Sequence, residues 1–315
     1  MRLGVIANRL VLVDGNAAVD IERASGGRFP ADPAQLFDHW EPLVEWAATA
    51  EPDGERLPLD GLQNPVPAPR QVFGIGANYL DHVQEAAAAR GHTGDVTALL
   101  PKDPMIFTKF RTSLSGPQDP IPVPTRSVDW EVELVVVIGR YGERVAEKDA
   151  WDHVAALTVG QDISERPIQM AGMAPQFSLG KSFPGFAPLG PVLVTPDTFD
   201  DPDDLELGCA LNDRIVQKAR TSEMIFSVAE LIAYLSSICP LLPGDLIFTG
   251  TGAGVGLFRT PPVFLKPGDK LVSWVKGIGE LRNPVTAAPG YPADLSGDNS
   301  DSDDNDNNNE TGDRS

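Results

Sequence analysis

Two glutamates stand two residues apart in the segment DWEVELVVVIG, residues 129–139. In an extended strand Glu131 and Glu133 point to one face, ahead of Val135 and Val137, while Val132, Leu134, Val136 and Ile138 take the other. Both faces run on in apolar side chains, so the strand is expected to be buried. The two α-carbons would lie roughly 7 Å apart, and buried carboxylates at that separation repel and lose hydration unless something offsets the loss. A shared hard cation, magnesium or manganese, would do so, because it prefers carboxylate and water oxygens. Asp162 follows the apolar run that ends at Gly160–Gln161, where functional loops often begin, and is the candidate third ligand. The competing reading is a solvated strand end whose glutamates pair with Arg166, Lys109 or Arg111. Spacing alone leaves both open.

Other residue types could do chemistry but are ambiguous in isolation. His82 and Glu85 are three apart in NYLDHVQEAAAARG and would share one helix face, yet a single histidine near a helix start is more commonly a surface or structural residue. Lys181, between Gly180 and Ser182, is of a kind more commonly exposed to solvent. The glycine-rich GTGAGVG at 250–256 lacks the Lys-Ser/Thr ending of a phosphate loop and does not open a strand–helix dinucleotide unit, so it is not read as a nucleotide site.

The elements that must position these residues follow from periodicity. Strands are predicted at Val72–Ala77, Pro104–Phe110, Glu131–Ile138, Ala156–Gln161 and Pro191–Thr195, with helices from near Asp81 to near Gly91 and over Ser227–Ile238. The second helix carries Ser227 and Glu230 as a capping box, an apolar stripe of Val228, Leu231, Ile232, Leu235 and Ile238, and Pro240 as its stop. A helical pattern over 33–50 contains Pro42 and must be kinked or divided. Two Pro-Gly-Asp turns, at 243–245 and 267–269, precede strand-like runs. Strands outnumber helices without regular alternation, which favours an α+β fold with mixed sheets over a doubly wound one. The expected divisions are a small N-terminal domain or extension at 1–70, a main body at 71–288, and an acidic, Asn-rich tail at 289–315 that cannot support its own ordering.

The whole chain of 315 residues carries 25 Lys and Arg against 45 Asp and Glu, a net charge of -20. Of this, residues 291–315 contribute -7 and the remainder -13. Such a field disfavours nucleic acid and anionic membrane partners. Cys209 and Cys239, the only cysteines, are expected to be reduced. Without an apolar run long enough for a membrane span or signal peptide, the protein reads as cytoplasmic.

Several segments, in order, resemble the fumarylacetoacetate hydrolase family: NYLDHVQE at 78–85, DWEVELVVVIG at 129–139, GQDISERPIQ at 160–169, LGKSFPGFAPLGP at 179–191, FTGTGAGVG at 248–256, then LKPGDKL and GIGELRNPV at 277–285. The resemblance implies a mixed β-roll catalytic domain, assembled as a homodimer, with Mg2+ or Mn2+ held by Glu131, Glu133 and Asp162. It implies that His82 and Glu85 form an acid/base pair on a lid, that Lys181 stabilises an enolate or oxyanion, and that Arg166, Gln169 and Thr251 bind substrate. The implied activity is hydrolytic C–C cleavage of an acylpyruvate or related β-diketo acid. The alternatives are decarboxylation or isomerisation of an oxo-acid within the same family, or a non-catalytic metal-binding structural protein. The stretch after Glu85, AAAARGHTGDVTALLPKD, is longer than in the family's minimal members.

Overall fold

The computed structural model describes residues 1–50 and 54–289. The tail expected at 289–315 therefore lies outside the described residues beyond residue 289.

The strand Val132–Ile138 is buried along its whole length, which fits its nearly continuous apolar run, because both of its faces are covered. It lies inside an 11-stranded mixed sheet, antiparallel to Val154–Gln161 on one side and to Leu246–Phe248 on the other. Leu246–Phe248 in turn runs parallel to Val72–Gly76, and Met105–Thr108 closes that edge. A five-stranded sheet built from Glu206–Leu211, Arg214–Arg220, Lys270–Val275, Gly279–Ala287 and Ile121–Val123 supplies a second layer. Leu134, Val136, Leu157 and Val159 join Leu207, Cys209, Leu271 and Leu281 of that layer in one apolar core. Val135 and Val137, which point the opposite way, pack in a second cluster with Leu3, Leu36, Trp40 and Leu43. This is an α+β fold with mixed sheets, as the strand-rich pattern predicts.

The N-terminal strand Arg2–Ile6 pairs antiparallel with Ala187–Val194, in register Arg2 to Val194 and Leu3 to Leu193. The N-terminal hairpins thereby extend the same large sheet. The pattern over 33–50 divides into a 3-10 turn, Pro33–Asp38, and a helix, Trp40–Thr49. Pro42 falls in the helix's first turn, where backbone N–H groups have no partner within the helix, so it breaks nothing. The helix Val228–Ile238 starts at Ser227, whose side chain accepts from the Glu230 N–H while the Glu230 carboxylate accepts from the Ser227 N–H. Cys209 is buried and Cys239 half-buried, and the two are not bonded to each other. No helix among the described residues is long and apolar enough to cross a membrane.

Candidate active site and metal centre

The strand carrying the glutamates begins at Val132, one residue later than periodicity predicts. The Glu131 N–H leaves the ladder and donates to the Gln161 side chain (2.9 Å), and Gln161 is anchored by Ser273 (2.8 Å). The Asp162 N–H donates to the Glu131 carbonyl (2.9 Å), which sets Asp162 opposite Glu131 at the ends of the two adjacent strands. Glu133 sits one step deeper, opposite Gly160. Side-chain alternation therefore gathers the three carboxylates on one face. All three are buried, and one oxygen from each lies within 4.8 Å of the others.

Three cations answer these acids. Lys181 Nζ donates to Glu131 (2.8 Å), to Asp162 and to the Ser164 hydroxyl (2.9 Å). Lys109, fully buried, donates to the other oxygen of Asp162 (2.6 Å) and to the Lys181 carbonyl. Arg166 donates to Glu131 (2.6 Å) and Gln169 (2.9 Å) through Nη1, and to Asp129 through Nε (2.9 Å) and Nη2 (2.6 Å). The ion pairs of the bland reading are thus present for Arg166. Lys109 pairs with Asp162 rather than with a glutamate, and Arg111 is exposed. They do not place the glutamates at a solvated strand end, because the whole cluster is buried.

The charges are unequally compensated. Burial opposes ionisation of Glu131, but Lys181 and Arg166 outweigh it and hold this carboxyl well below its ordinary value. Among the described residues no cation is hydrogen-bonded to Glu133. Burial, then Asp162 and Glu131, push it well above the ordinary carboxylate value, and its recorded donor is the Gly250 N–H at 2.7 Å. Burial would lower Lys181, yet Asp162 and Glu131 raise it above the usual lysine value, so it is a fixed positive charge. Burial pulls Lys109 below that value, more than Asp162 restores. With all seven groups ionised, four carboxylates (Asp129 included) face three cations, an excess of one negative charge. A divalent ion would reverse that sign, and the all-oxygen donor set with the under-compensated Glu133 fits magnesium or manganese.

A cavity of about 520 Å³ opens over this cluster. Of the nine residues expected at the site, His82, Glu131, Arg166, Gln169, Lys181 and Thr251 line it. Glu133 and Asp162 are not among the lining residues. A larger open depression near Met1 and Arg56 contains none of the nine. His82 enters from the helix Leu80–Ala89, against the ring of Phe258 (centroids 5.7 Å apart). His82 Nδ1 and the Glu85 carboxylate approach to 3.7 Å, beyond hydrogen-bonding distance. Glu85 instead accepts from the Gly254 N–H (3.0 Å), so the helix docks onto the glycine-rich turn. At that turn Gly250 has φ +97, a conformation that suits glycine, and its N–H thereby reaches Glu133. Thr251 donates to the Val132 carbonyl (2.8 Å) and accepts from Gln217 (2.9 Å). Lys181 is positioned by the segment that covers the sheet edge: Ser178 and Ser182 accept from the N–H groups of Thr108 and Phe110. The long stretch after Glu85 supplies the cavity's outer wall with Arg90, His92 and Leu99.

Sequence reasoning missed Asp129, Lys109 as a partner of Asp162, and Gln217. Asp129 continues the two-residue alternation of Glu131 and Glu133, and that signal could have found it. Nothing local marks Gln217, which bridges from the second sheet to Val132 and Thr251.

Comparison with known proteins extends this geometry. The family model described as fumarylacetoacetate (FAA) hydrolase C-terminal matches residues 71–286. A mitochondrial oxaloacetate tautomerase of Xenopus laevis is 39% identical over 281 residues, covering 88% of this chain and 85% of its own. The crystal structure assigned to an HpcE protein of Mycobacterium smegmatis is 49% identical, covers 91% of this chain and 100% of its own, and superposes with a TM-score of 0.84. A maleylpyruvate hydrolase from Sphingobium sp. SYK-6, solved with manganese(II) and pyruvate, is 29% identical with a TM-score of 0.74, covering 91% of this chain and 100% of its own.

Proposed function

The chain belongs to the fumarylacetoacetate hydrolase family, and from that premise we propose that it is a Mg2+- or Mn2+-dependent enzyme that interconverts the keto and enol forms of a small 2-oxo acid of the oxaloacetate type. The observation that carries this reading is the arrangement of His82: its imidazole lines the cavity while Glu85 is bonded to Gly254. A lone imidazole facing a C3 methylene suits proton transfer, whereas water activation asks for the histidine and glutamate to act together. The likeness to an oxaloacetate tautomerase supports the same choice. The hydrolytic reaction taken from the family resemblance becomes the second reading.

In this mechanism His82 takes the proton from C3 of the keto acid. The C3–H electron pair moves into the C2–C3 bond, the C2 oxygen becomes an enolate, and return of a proton to that oxygen gives the enol. When bound by Glu131, Glu133 and Asp162, the divalent ion supplies positive charge that favours the enolate. Lys181 adds a permanent charge beside it. Its three N–H groups are engaged by Glu131, Asp162 and Ser164, so it acts through its field rather than as a free donor. Gln169 turns its carbonyl to Arg166, which leaves its amide N–H groups for substrate, and four of the five Arg166 N–H groups are likewise held within the protein.

The second reading, C–C hydrolysis of an acylpyruvate, is favoured by the 3.7 Å approach of His82 to Glu85, which a small rotation would close. The cavity, at about 520 Å³, also has room for an acid longer than oxaloacetate. Assembly as a homodimer is supported by exposed apolar side chains, including Phe110, Met173, Leu179 and Met170, the last of which also lines the cavity. Incubation of the manganese-loaded protein with oxaloacetate and with an acylpyruvate in deuterated water separates the readings. Accelerated C3 deuteration without pyruvate is expected. Pyruvate release from the acylpyruvate, with no acceleration of exchange in oxaloacetate, would sink the tautomerase reading in favour of hydrolysis.

A further inference from the structure

We infer that Asp129 is a positioning residue for the cation site, acting by sharing the charge of Arg166 with the metal-binding carboxylate Glu131, so that Glu131 does not face the whole of it. The inference rests on reading Glu131, Glu133 and Asp162 as a cation site, and does not depend on which oxo-acid reaction follows.

Asp129 has no exposed surface and does not line the cavity, so it touches no substrate. Five N–H donors converge on it: Arg166 Nε (2.9 Å) and Nη2 (2.6 Å), and the backbone groups of Trp130 (2.8 Å), Gly256 (2.7 Å) and Leu257 (2.9 Å). Both contacts from Arg166 fall on Oδ2, so the carboxylate grips one edge of the guanidinium and turns the remaining nitrogen, Nη1, toward Glu131 and Gln169. One arginine is thereby shared between two carboxylates in a fixed plane.

The sharing matters because Glu131 has two claims on it. A divalent ion needs a lone pair of its carboxylate, and Arg166 and Lys181 already donate to both oxygens. Were Asp129 uncharged, the whole guanidinium charge would fall on Glu131 and its surroundings, competing for the ligand and repelling the ion. Asp129 prevents this by taking two of the guanidinium's bonds. Its other contacts fix the Gly256–Leu257 backbone, whose next residue, Phe258, lies against His82. That second role is structural and would persist whatever occupied position 166.

A double-mutant cycle read by Mn(II) affinity, in full-length protein by calorimetry, separates the two roles. Asp129→Asn is expected to weaken Mn(II) binding by roughly tenfold or more, the range for partners behind a metal ligand. Arg166→Gln is expected to bind Mn(II) at least as well as wild type, and the double variant to recover most of the affinity lost in Asp129→Asn. An unchanged affinity in Asp129→Asn, or an equal loss in the double variant, would overturn the inference and leave Asp129 as a support of the turn alone. A wild-type protein that binds no Mn(II) would instead overturn the cation reading and this inference with it. If Asp129→Asn does not fold, Arg166→Lys serves in its place. It keeps the charge but loses the planar fork that Asp129 grips, so Mn(II) affinity should fall with Lys and not with Gln, and equal affinities would again overturn the inference.

Discussion

Glu133 is the residue on which the site's chemistry turns. Its neighbours are the carboxylates of Glu131 and Asp162, and the Gly250 N–H is its recorded donor. A carboxyl raised above its unfolded value stabilises the fold fully below that unfolded value, and the contribution is lost as pH rises through the folded one. A cation binds the ionised form, so its stabilising effect must grow over that same interval. Binding of Mn(II) is therefore expected to release a proton and to tighten as pH rises from the ordinary glutamate range, measured by calorimetry in buffers of different ionisation enthalpy. Glu133→Gln removes the repulsion and the ligand together. It should raise the thermal midpoint of the metal-free protein at neutral pH and abolish the shift that Mn(II) produces. A metal-dependent shift that survives Glu133→Gln would mean that the ion sits elsewhere. The carboxylates were legible because alternation along a strand is local information. Their cations were not: Lys109 meets Asp162 across 53 residues, Lys181 meets Glu131 across 50 and Arg166 meets Asp129 across 37, and only the folded chain decides those pairings.

At the scale of elements, two short helices, Arg166–Gln169 and Phe177–Gly180, place Arg166, Gln169 and Lys181 around one cavity wall. Their contact depends on Gly180. A Cβ there would lie 2.5 Å from the Gln169 backbone nitrogen and 2.8 Å from its α-carbon, and neither can swing aside as a side chain would. Gly180→Ala is expected to cost about 1–3 kcal/mol by overpacking, and to reduce turnover further by moving Lys181 and Gln169. Chemical denaturation alongside steady-state kinetics would test it, and wild-type values for both would contradict the packing described. Periodicity located the helix Val228–Ile238 well because Ser227, Glu230 and Pro240 mark its ends chemically. It placed the strand before Thr195 too late, since Ala187–Val194 begins with Ala, Pro and Gly residues that carry little strand signal, and tertiary pairing of Ala187 and Pro188 with Leu114 and Ser115 decides its start.

For the whole molecule, the sheets bring sequence-distant segments to one place: the carboxylates from the central strands, His82 from a helix at the cavity's side, and Lys181 from the cover of the sheet edge. The fold class was readable from the excess of strands over helices. The pairing of Arg2–Ile6 with Ala187–Val194 was not, because no local pattern specifies a partner nearly two hundred residues away. A net charge of -20 would repel the anionic oxo acid of the proposed reaction, and a divalent ion held among the buried acids would reverse the sign of the charge where that acid must approach. That is the central claim, and the ultraviolet absorbance of enolic oxaloacetate tests it most directly. Its decay to the keto form should accelerate with manganese-loaded protein, return to the uncatalysed rate on chelation, and recover when manganese is restored. Acceleration that is indifferent to the chelator would contradict the account.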